Sequence, residues 1–225
     1  RKKVANFCNV SHDAVVQSLD MPTIYQVPLE MQKQGLDATI LKKLGVEVGE
    51  TPGLGPWRSF LDRRQRATEE VKVALVGKYD LQDAYKSILE SLSQAGTYND
   101  YKVKCKFVNS EKLTEENVEA TLKEFDAVVI CPGFGSRGIA GKLVAAHYCR
   151  EKDVPTLGIC LGMQMMVIEF ARNVLGYGDA NSVEMDSKTP HNVIDLMENQ
   201  KNITNMGGTC LLYTSPSPRD GATSR

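Results

Sequence analysis

The chain has 225 residues, of which 42% are hydrophobic and 24% charged, and its formal net charge is −1. This composition is typical of a globular protein that is long enough for one large core, or for one domain and part of another. The near-zero charge provides no field that would attract nucleic acid or an anionic membrane. No apolar stretch reaches the ~20 residues that cross a bilayer, and residues 1–10 lack the long apolar region of a signal peptide.

The chain contains six cysteines but no C-x-x-C pair and no regular cluster of metal ligands. Disulfide frameworks and structural metal sites both require such clusters. We therefore expect reduced thiols, a cytoplasmic protein and no metal bound by these cysteines.

The first third of the chain predicts a few short elements. Residues 4–10 are apolar enough to predict a short buried strand, and residues 28–34 and 38–44 predict helices, each followed by a glycine. Residues 46–69 begin rich in Gly and Pro, which indicates a linker. The arginines within 63–66 are expected to lie on a solvated helix face rather than to bind phosphate.

From about residue 70, strands and helices alternate. Continuous apolar runs predict buried strands, helical periodicity predicts the segments between them, and Gly96 is expected to end the first of these helices. The predicted strands are 71–77, 127–131 and 155–159, with a half-exposed edge strand over 103–107, and the predicted helices are 83–95, 118–125, 142–151 and 161–173. Buried strands alternating with helices indicate an α/β fold with an open, mostly parallel sheet and helices on both faces, as in flavodoxin-like proteins. Ligands are then expected at the carboxyl ends of the strands.

Cys160 is the principal candidate catalytic residue. It lies in Gly158-Ile159-Cys160-Leu161-Gly162-Met163-Gln164, where a predicted strand runs directly into a predicted helix. A tight strand–nucleophile–helix turn exposes its central side chain, and the unpaired N–H groups at a helix start favour a thiolate. The amide of Leu161 is placed to donate to an oxyanion. The alternative is a small structural thiol at a strand end.

The loop at residues 131–138 follows the preceding buried strand. Its glycines allow a close backbone approach, and Gly133 N–H is a candidate for the second oxyanion donor. A simple turn is the alternative. Phosphate binding is disfavoured because neither G-x-x-x-x-G-K-[ST] nor G-x-G-x-x-G is present.

Several motifs together resemble one family, the CTP synthases. Four motifs resemble its class I glutaminase domain: 132–138, 158–164, 180–184 and 206–209. Two motifs resemble the start of that domain: 76–79 and 83–87. Two more resemble the end of its amide-ligase domain, a P-loop-type α/β domain: 3–10 and 18–25. The implied domains are 1–45 (ligase), 46–69 (linker), 70–209 (truncated glutaminase) and 210–225 (disordered, non-native tail).

The resemblance implies that glutamine is hydrolysed through a thioester and that the ammonia aminates UTP to CTP with ATP. It implies Cys160 as nucleophile, with Gly133 and Leu161 as oxyanion amides. The same resemblance implies a glutamine site at Gly133, Leu161, Gly162, Met163, Gln164 and Glu184, a UTP or CTP contact at Lys3, and an ATP site at Leu19, Asp20 and Met21. It also implies magnesium with ATP, GTP as an activator, and a homotetramer.

A cysteine nucleophile needs a general base, which the family supplies from a His-x-Glu motif. The three histidines here, His12, His147 and His191, lack an acid two residues later. We therefore read His147 and His191 as structural. We expect the chain to be an internal fragment of a longer protein, without a phosphate-binding loop or a complete active site, and inactive by itself.

Two other readings remain open. One is a different class I glutamine amidotransferase, against which the ligase-like segments argue. The other is a non-catalytic, flavodoxin-like binding or assembly module whose cysteine is vestigial or redox-active.

Overall fold

The structure, a computed structural model, describes residues 1–50, 53–79 and 82–195. The chain divides into two units. The first comprises residues 1–75, 79–108 and 120–128, and the second comprises 76–78, 109–119 and 129 onward. The predicted tail at 210–225 and the motif at 206–209 lie outside the described residues.

The first unit begins with four helices. They are α1 (Lys2–Cys8), α2 (Val27–Lys33), α3 (Leu36–Lys43) and α4 (Gly55–Arg66), with 3-10 turns at His12–Ala14 and Ile24–Gln26. The helices predicted at 28–34 and 38–44 are confirmed. Pro28 lies in the first turn of α2, where its missing N–H removes no helical hydrogen bond. Gly35 separates α2 from α3 with φ +76°, a left-handed conformation that favours glycine.

The strand predicted at residues 4–10 is wrong, because the segment forms α1. Only Ala5 of this helix is buried, while Val4 and Phe7 are exposed. A helix satisfies its backbone hydrogen bonds locally, whereas a strand needs a neighbour. The sheets of the described residues contain no strand from this segment.

The arginines of α4 do more than cover a solvated face. Arg64 donates to Ser93 Oγ at 2.5 Å, and its guanidinium lies 5.2 Å from the centre of the Tyr25 ring. Arg63 donates to the carbonyl of Tyr98 at 3.0 Å. The arginines therefore attach α4 to its neighbours in the first unit.

From residue 69 to residue 173 the chain alternates strands and helices as predicted, and two short strands follow within the described residues. The elements are β1 (Glu69–Gly77), α5 (Lys86–Tyr98), β2 (Tyr101–Asn109), α6 (Val118–Leu122), β3 (Ala127–Ile130), α7 (Ile139–Glu151), β4 (Thr156–Gly158), α8 (Leu161–Asn173), β5 (Asn181–Ser182) and β6 (Asn192–Ile194). The main sheet has the order β2-β1-β3-β4, and β5 pairs with β6 in parallel. The α/β fold with a mostly parallel sheet is confirmed.

Backbone hydrogen bonds show how β1 and β3 run side by side. Asp126 N donates to Lys72 O and Cys131 N donates to Val76 O, both at 2.9 Å. Residue numbers rise together along the two strands, which is the parallel arrangement. Both strands are central, and most of their side chains are buried, as expected for a sheet interior.

Two details of the sheet region differ from the predictions. Within the described ranges β4 is an edge strand, with Leu157 56% exposed, rather than a fully buried one. Gly96 does not end α5, which continues to Tyr98. A Cβ on Gly96 would lie 2.6 Å from Val103 Cγ2, so this glycine is required by close packing and not by a helix cap.

A buried carboxylate joins α7 to α8. Glu169 on α8 is 3% exposed and accepts hydrogen bonds from Arg150, with Nη2 at 2.9 Å, and from Asn173 at 3.0 Å. Its Oε1 also lies 2.8 Å from His147 Nδ1. Burial alone would raise the pKa of Glu169, but these hydrogen bonds outweigh it and hold the pKa below its usual value.

No helix in the described part of the chain is long and apolar enough to span a membrane.

We predict that Glu169→Gln lowers the free energy of unfolding at pH 7 by about 2 kcal/mol, because it leaves Arg150 facing an amide instead of a buried carboxylate. Urea unfolding measures this. Because the folded pKa is lowered, the difference from the wild type is full above the unfolded pKa near 4.5 and disappears as pH falls through the lower folded pKa.

Glu151→Gln is the matched control, since Glu151 pairs with the same Arg150 at 2.6 Å but is 53% exposed. Its effect should be much smaller. Equal losses for the two variants would mean that the buried network is not what joins the helices.

Candidate active site

Cys160 occupies a sharp turn between β4 and α8. It is the residue immediately before the helix, its side chain is exposed, and its backbone has φ 53° and ψ −112°. This is a sparsely populated conformation for a residue with a side chain, and such strain clusters at functional sites. The predicted strand–nucleophile–helix turn is therefore present, and the thiol is not enclosed by apolar side chains.

Backbone hydrogen bonds hold this turn in place. Ile159 N donates to Ile130 O at 3.0 Å, which ties the turn to β3. Gly162 N donates to Ile159 O at 2.9 Å, and Gln164 N donates to Cys160 O at 3.1 Å. These bonds begin α8 directly behind the cysteine.

Two glycines allow the backbone to approach closely at this point. A Cβ on Gly162 would lie 1.9 Å from Ile130 O, and one on Gly158 would lie 2.6 Å from Met163 N. Both distances are shorter than any real contact, so neither position accepts a side chain unless the backbone moves.

The loop after β3 lies beside the start of α8. The position of a Cβ on Gly133 is 3.7 Å from Leu161 Cδ2 and 3.5 Å from Lys142 Nζ. The structure thus brings together Gly133 and Leu161, the two residues expected to supply oxyanion amides. Lys78 Nζ donates to the carbonyl of Phe134 in the same loop.

Two of the other residues expected to bind glutamine line different cavities. Glu184 is exposed and lines a cavity of about 450 Å³ together with Leu161, Met165 and Arg172. Met163 is 49% exposed and lines a different apolar cavity of about 480 Å³. Gln164 is half-buried in the first turn of α8. The described residues therefore place Glu184 with Leu161 but not with Met163.

Lys142, which none of the sequence motifs singled out, is buried next to this site. Its Nζ donates to Cys131 O at 2.7 Å, and its exposure is 0%. Burial lowers the pKa of Lys142, as does Lys78, while Cys131 and Cys160 raise it. A signal was present in the sequence, because Lys142 shares a helical stripe with Ala145, Ala146 and Cys149.

Two of the three histidines contact carboxylates of the second unit, and the third lies in the first unit. His147 contacts Glu169, and His191 Nδ1 lies 2.6 Å from Asp179 Oδ1 while its ring stacks on Tyr177. His12 lies in the 3-10 turn after α1.

The residues expected to bind nucleotides belong to the first unit. Lys3 is exposed on α1, and Leu19 and Asp20 are exposed. Met21 is half-buried and lines a cleft of about 1220 Å³. Among the described residues, no group of three His, Cys, Asp or Glu side chains is arranged to hold a metal ion.

Comparison with known protein families gives two matches. The family described as "Glutamine amidotransferase class-I" matches residues 80–218, which is more than half of the chain. The chain belongs to the class I glutamine amidotransferase family. Residues 1–46 match the family described as "CTP synthase N-terminus".

The particular resemblance is to CTP synthase. The CTP synthase of Bacteroides fragilis is 70% identical over 213 residues, covering 94% of this chain and 40% of that protein. The CTP synthase of Porphyromonas gingivalis is 60% identical, covering 94% and 39%. The chain spans about 40% of the length of these curated relatives. The resemblance expected from the motifs is confirmed.

A solved structure shows the same similarity. The glutaminase domain of Trypanosoma brucei CTPS with bound acivicin superposes with a TM-score of 0.55 at 37% sequence identity. The match covers 59% of this chain and 52% of that chain.

We predict that Gly162→Ala lowers the free energy of unfolding by about 3 kcal/mol, because its methyl group would press against the Ile130 carbonyl. Gly178→Ala is the control, since a Cβ there meets nothing within 4 Å. Urea unfolding of both variants provides the comparison. A Gly162→Ala protein as stable as Gly178→Ala would contradict the close contact.

Proposed function

We propose that this chain provides a glutaminase site, and part of an amide-ligase site, of an enzyme that aminates UTP to CTP with ATP and glutamine. The family match and the similarity to CTP synthases support this. The observation that carries the proposal is the exposed, strained Cys160 at the start of α8, with Gly133 beside Leu161. The match at residues 1–46 favours CTP synthesis over another class I amidotransferase.

In the proposed glutaminase reaction, the Cys160 thiolate attacks the side-chain amide carbon of glutamine. A C–S bond forms, and the carbonyl oxygen becomes an oxyanion that accepts hydrogen bonds from the amides of Gly133 and Leu161. Collapse of this intermediate breaks the C–N bond. The nitrogen takes a proton from water and leaves as ammonia. Water then hydrolyses the γ-glutamyl thioester, which breaks the C–S bond and gives glutamate and free Cys160.

Glu184 is proposed to orient the substrate. Its exposed carboxylate, on the cavity that Leu161 also lines, would pair with the α-ammonium of glutamine. Gln164 would hold a polar end of the substrate. Gly162 and Met163 would contact it through the backbone at the start of α8, since the Met163 side chain lines a different cavity.

The ligase half of the proposal rests on the resemblance. ATP would phosphorylate O4 of UTP, and ammonia would displace that phosphate. Lys3 would contact UTP or CTP, and Leu19, Asp20 and Met21 would line the adenine site, where Met21 borders a cleft lined by both apolar and charged side chains. GTP activation, a homotetramer and a cytoplasmic location are proposed on the same ground.

Magnesium is expected with ATP. Mg²⁺ is usually held by one or two carboxylates together with phosphates and water, and the described ranges contain no cluster of three possible metal ligands that would form a site without ATP. No step is therefore assigned to a metal held by these residues.

We predict that diazo-oxo-norleucine, an electrophilic analogue of glutamine, modifies Cys160 at least about tenfold faster than Cys8, because bound analogue is held next to the thiol. Cys8 is also exposed and is the internal control. Burial raises the pKa of Cys105 and Cys149, which keeps those thiols protonated. Peptide mass mapping with and without glutamine measures the rates.

Protection of Cys160 by glutamine is expected in that experiment. Equal modification of Cys160, Cys8 and Cys105, without protection, would instead favour a non-catalytic binding module.

We also predict that the purified chain releases ammonia from glutamine no faster than its Cys160→Ala variant. The reason is that none of its histidines stands in a His-x-Glu motif, and His147 and His191 each contact another carboxylate. A coupled ammonia assay tests this. Ammonia release that Cys160→Ala abolishes would show that the chain contains its own general base.

A further inference from the structure

The proposed reaction gives no role to the buried ammonium of Lys142. This residue lies one turn into α7, on the face formed by Ala145, Ala146 and Cys149, and is 0% exposed. Its Nζ donates to Cys131 O at 2.7 Å and contacts Pro132 O at 3.5 Å. Both acceptors belong to the loop that carries Gly133.

Stability does not account for a lysine at this position. Removing an ammonium from water is costly, and neutral carbonyl oxygens compensate less than a carboxylate would. Burial accordingly lowers the pKa of Lys142. An unbranched apolar side chain of similar length would fill the same space without that cost.

The geometry of one peptide unit suggests what the ammonium does. The carbonyl of Pro132 and the N–H of Gly133 belong to the same planar trans peptide, so they point in opposite directions. A cation beside the Pro132 oxygen therefore directs the Gly133 N–H away from α7. Rotation of this peptide would turn the N–H toward the ammonium, which repels it.

We propose that Lys142 is a positioning residue that fixes the Pro132–Gly133 peptide so that the Gly133 N–H faces the oxyanion formed at Cys160. This inference rests on the proposed glutaminase function and extends it to a residue that does not touch the substrate. The position of a Cβ on Gly133 lies 3.7 Å from Leu161 Cδ2, which places this loop beside the start of α8. A rotated peptide would remove one of the two proposed donors.

The test compares wild-type protein with Lys142→Met and with Lys112→Met, a control at an exposed lysine of the same unit. One reaction is acylation by the γ-para-nitrophenyl ester of glutamate at neutral pH. The thiolate adds to the ester carbonyl, and the oxyanion collapses to the thioester and para-nitrophenolate, whose absorbance is followed in a single turnover. The other reaction is alkylation of Cys160 by chloroacetamide, a direct displacement of chloride that builds no oxyanion.

We expect Lys142→Met to slow the acylation rate at saturating ester by about 10- to 100-fold, since removing an oxyanion donor costs about 100- to 1000-fold. The ester concentration for half-maximal rate and the alkylation rate should change less than about twofold. The variant should unfold at the same temperature as the wild type or at a higher one. Lys112→Met should match the wild type throughout.

An unchanged acylation rate would overturn the inference, as would an equal fall in acylation and alkylation, which would indicate general disruption. If chloroacetamide alkylates Cys160 of the wild-type protein but the ester does not acylate it, the proposed function fails. The orientation of the Pro132–Gly133 peptide is then measured by the nuclear Overhauser effect between Pro132 Hα and Gly133 N–H. A change in Lys142→Met supports the positioning role, and an identical effect in both proteins overturns it.

Discussion

The close contact between Gly162 and the carbonyl of Ile130 is the constraint on which the candidate site depends. It brings the first turn of α8 against the end of β3, at a distance that leaves no room for a Cβ. Ile159 is also hydrogen-bonded to the Ile130 carbonyl, so the chain turns from β4 into α8 at Cys160. Cys160 takes a positive φ there, and its thiol is exposed. Backbone strain at that residue is the consequence of the packing, and hydrogen bonds within the turn compensate for it.

The same end of β3 also delivers the second half of the site. The strand continues through Cys131 into the loop with Gly133, beside Leu161. In a parallel sheet the carboxyl ends of neighbouring strands meet at one edge, and backbone groups from separate segments converge there. The buried ammonium of Lys142 donates a hydrogen bond to this loop at Cys131 O. Glu169 joins α7, which follows the loop, to α8, which follows the cysteine.

Features that depend on a few consecutive residues were predictable. The continuous apolar run of β1 and the abrupt change from strand to helix at Cys160 each have a local cause, and both are found in the structure. The errors at residues 4–10, at β4 and at Gly96 have a common origin. Each depended on which distant segment lies alongside, and that information is not contained in a local pattern.

The sequence by itself determined the family, the alternation of strands and helices, and the cysteine at the turn, because glycine spacing and hydrophobic period act within one or two turns of chain. Only the tertiary structure decided that Lys142 is buried against two carbonyls, and that Glu169 binds Arg150 and lies against His147. A lysine or a glutamate is compatible with either face of a helix. Its burial follows from the partners that the packed fold brings to it, since only those partners offset the loss of hydration.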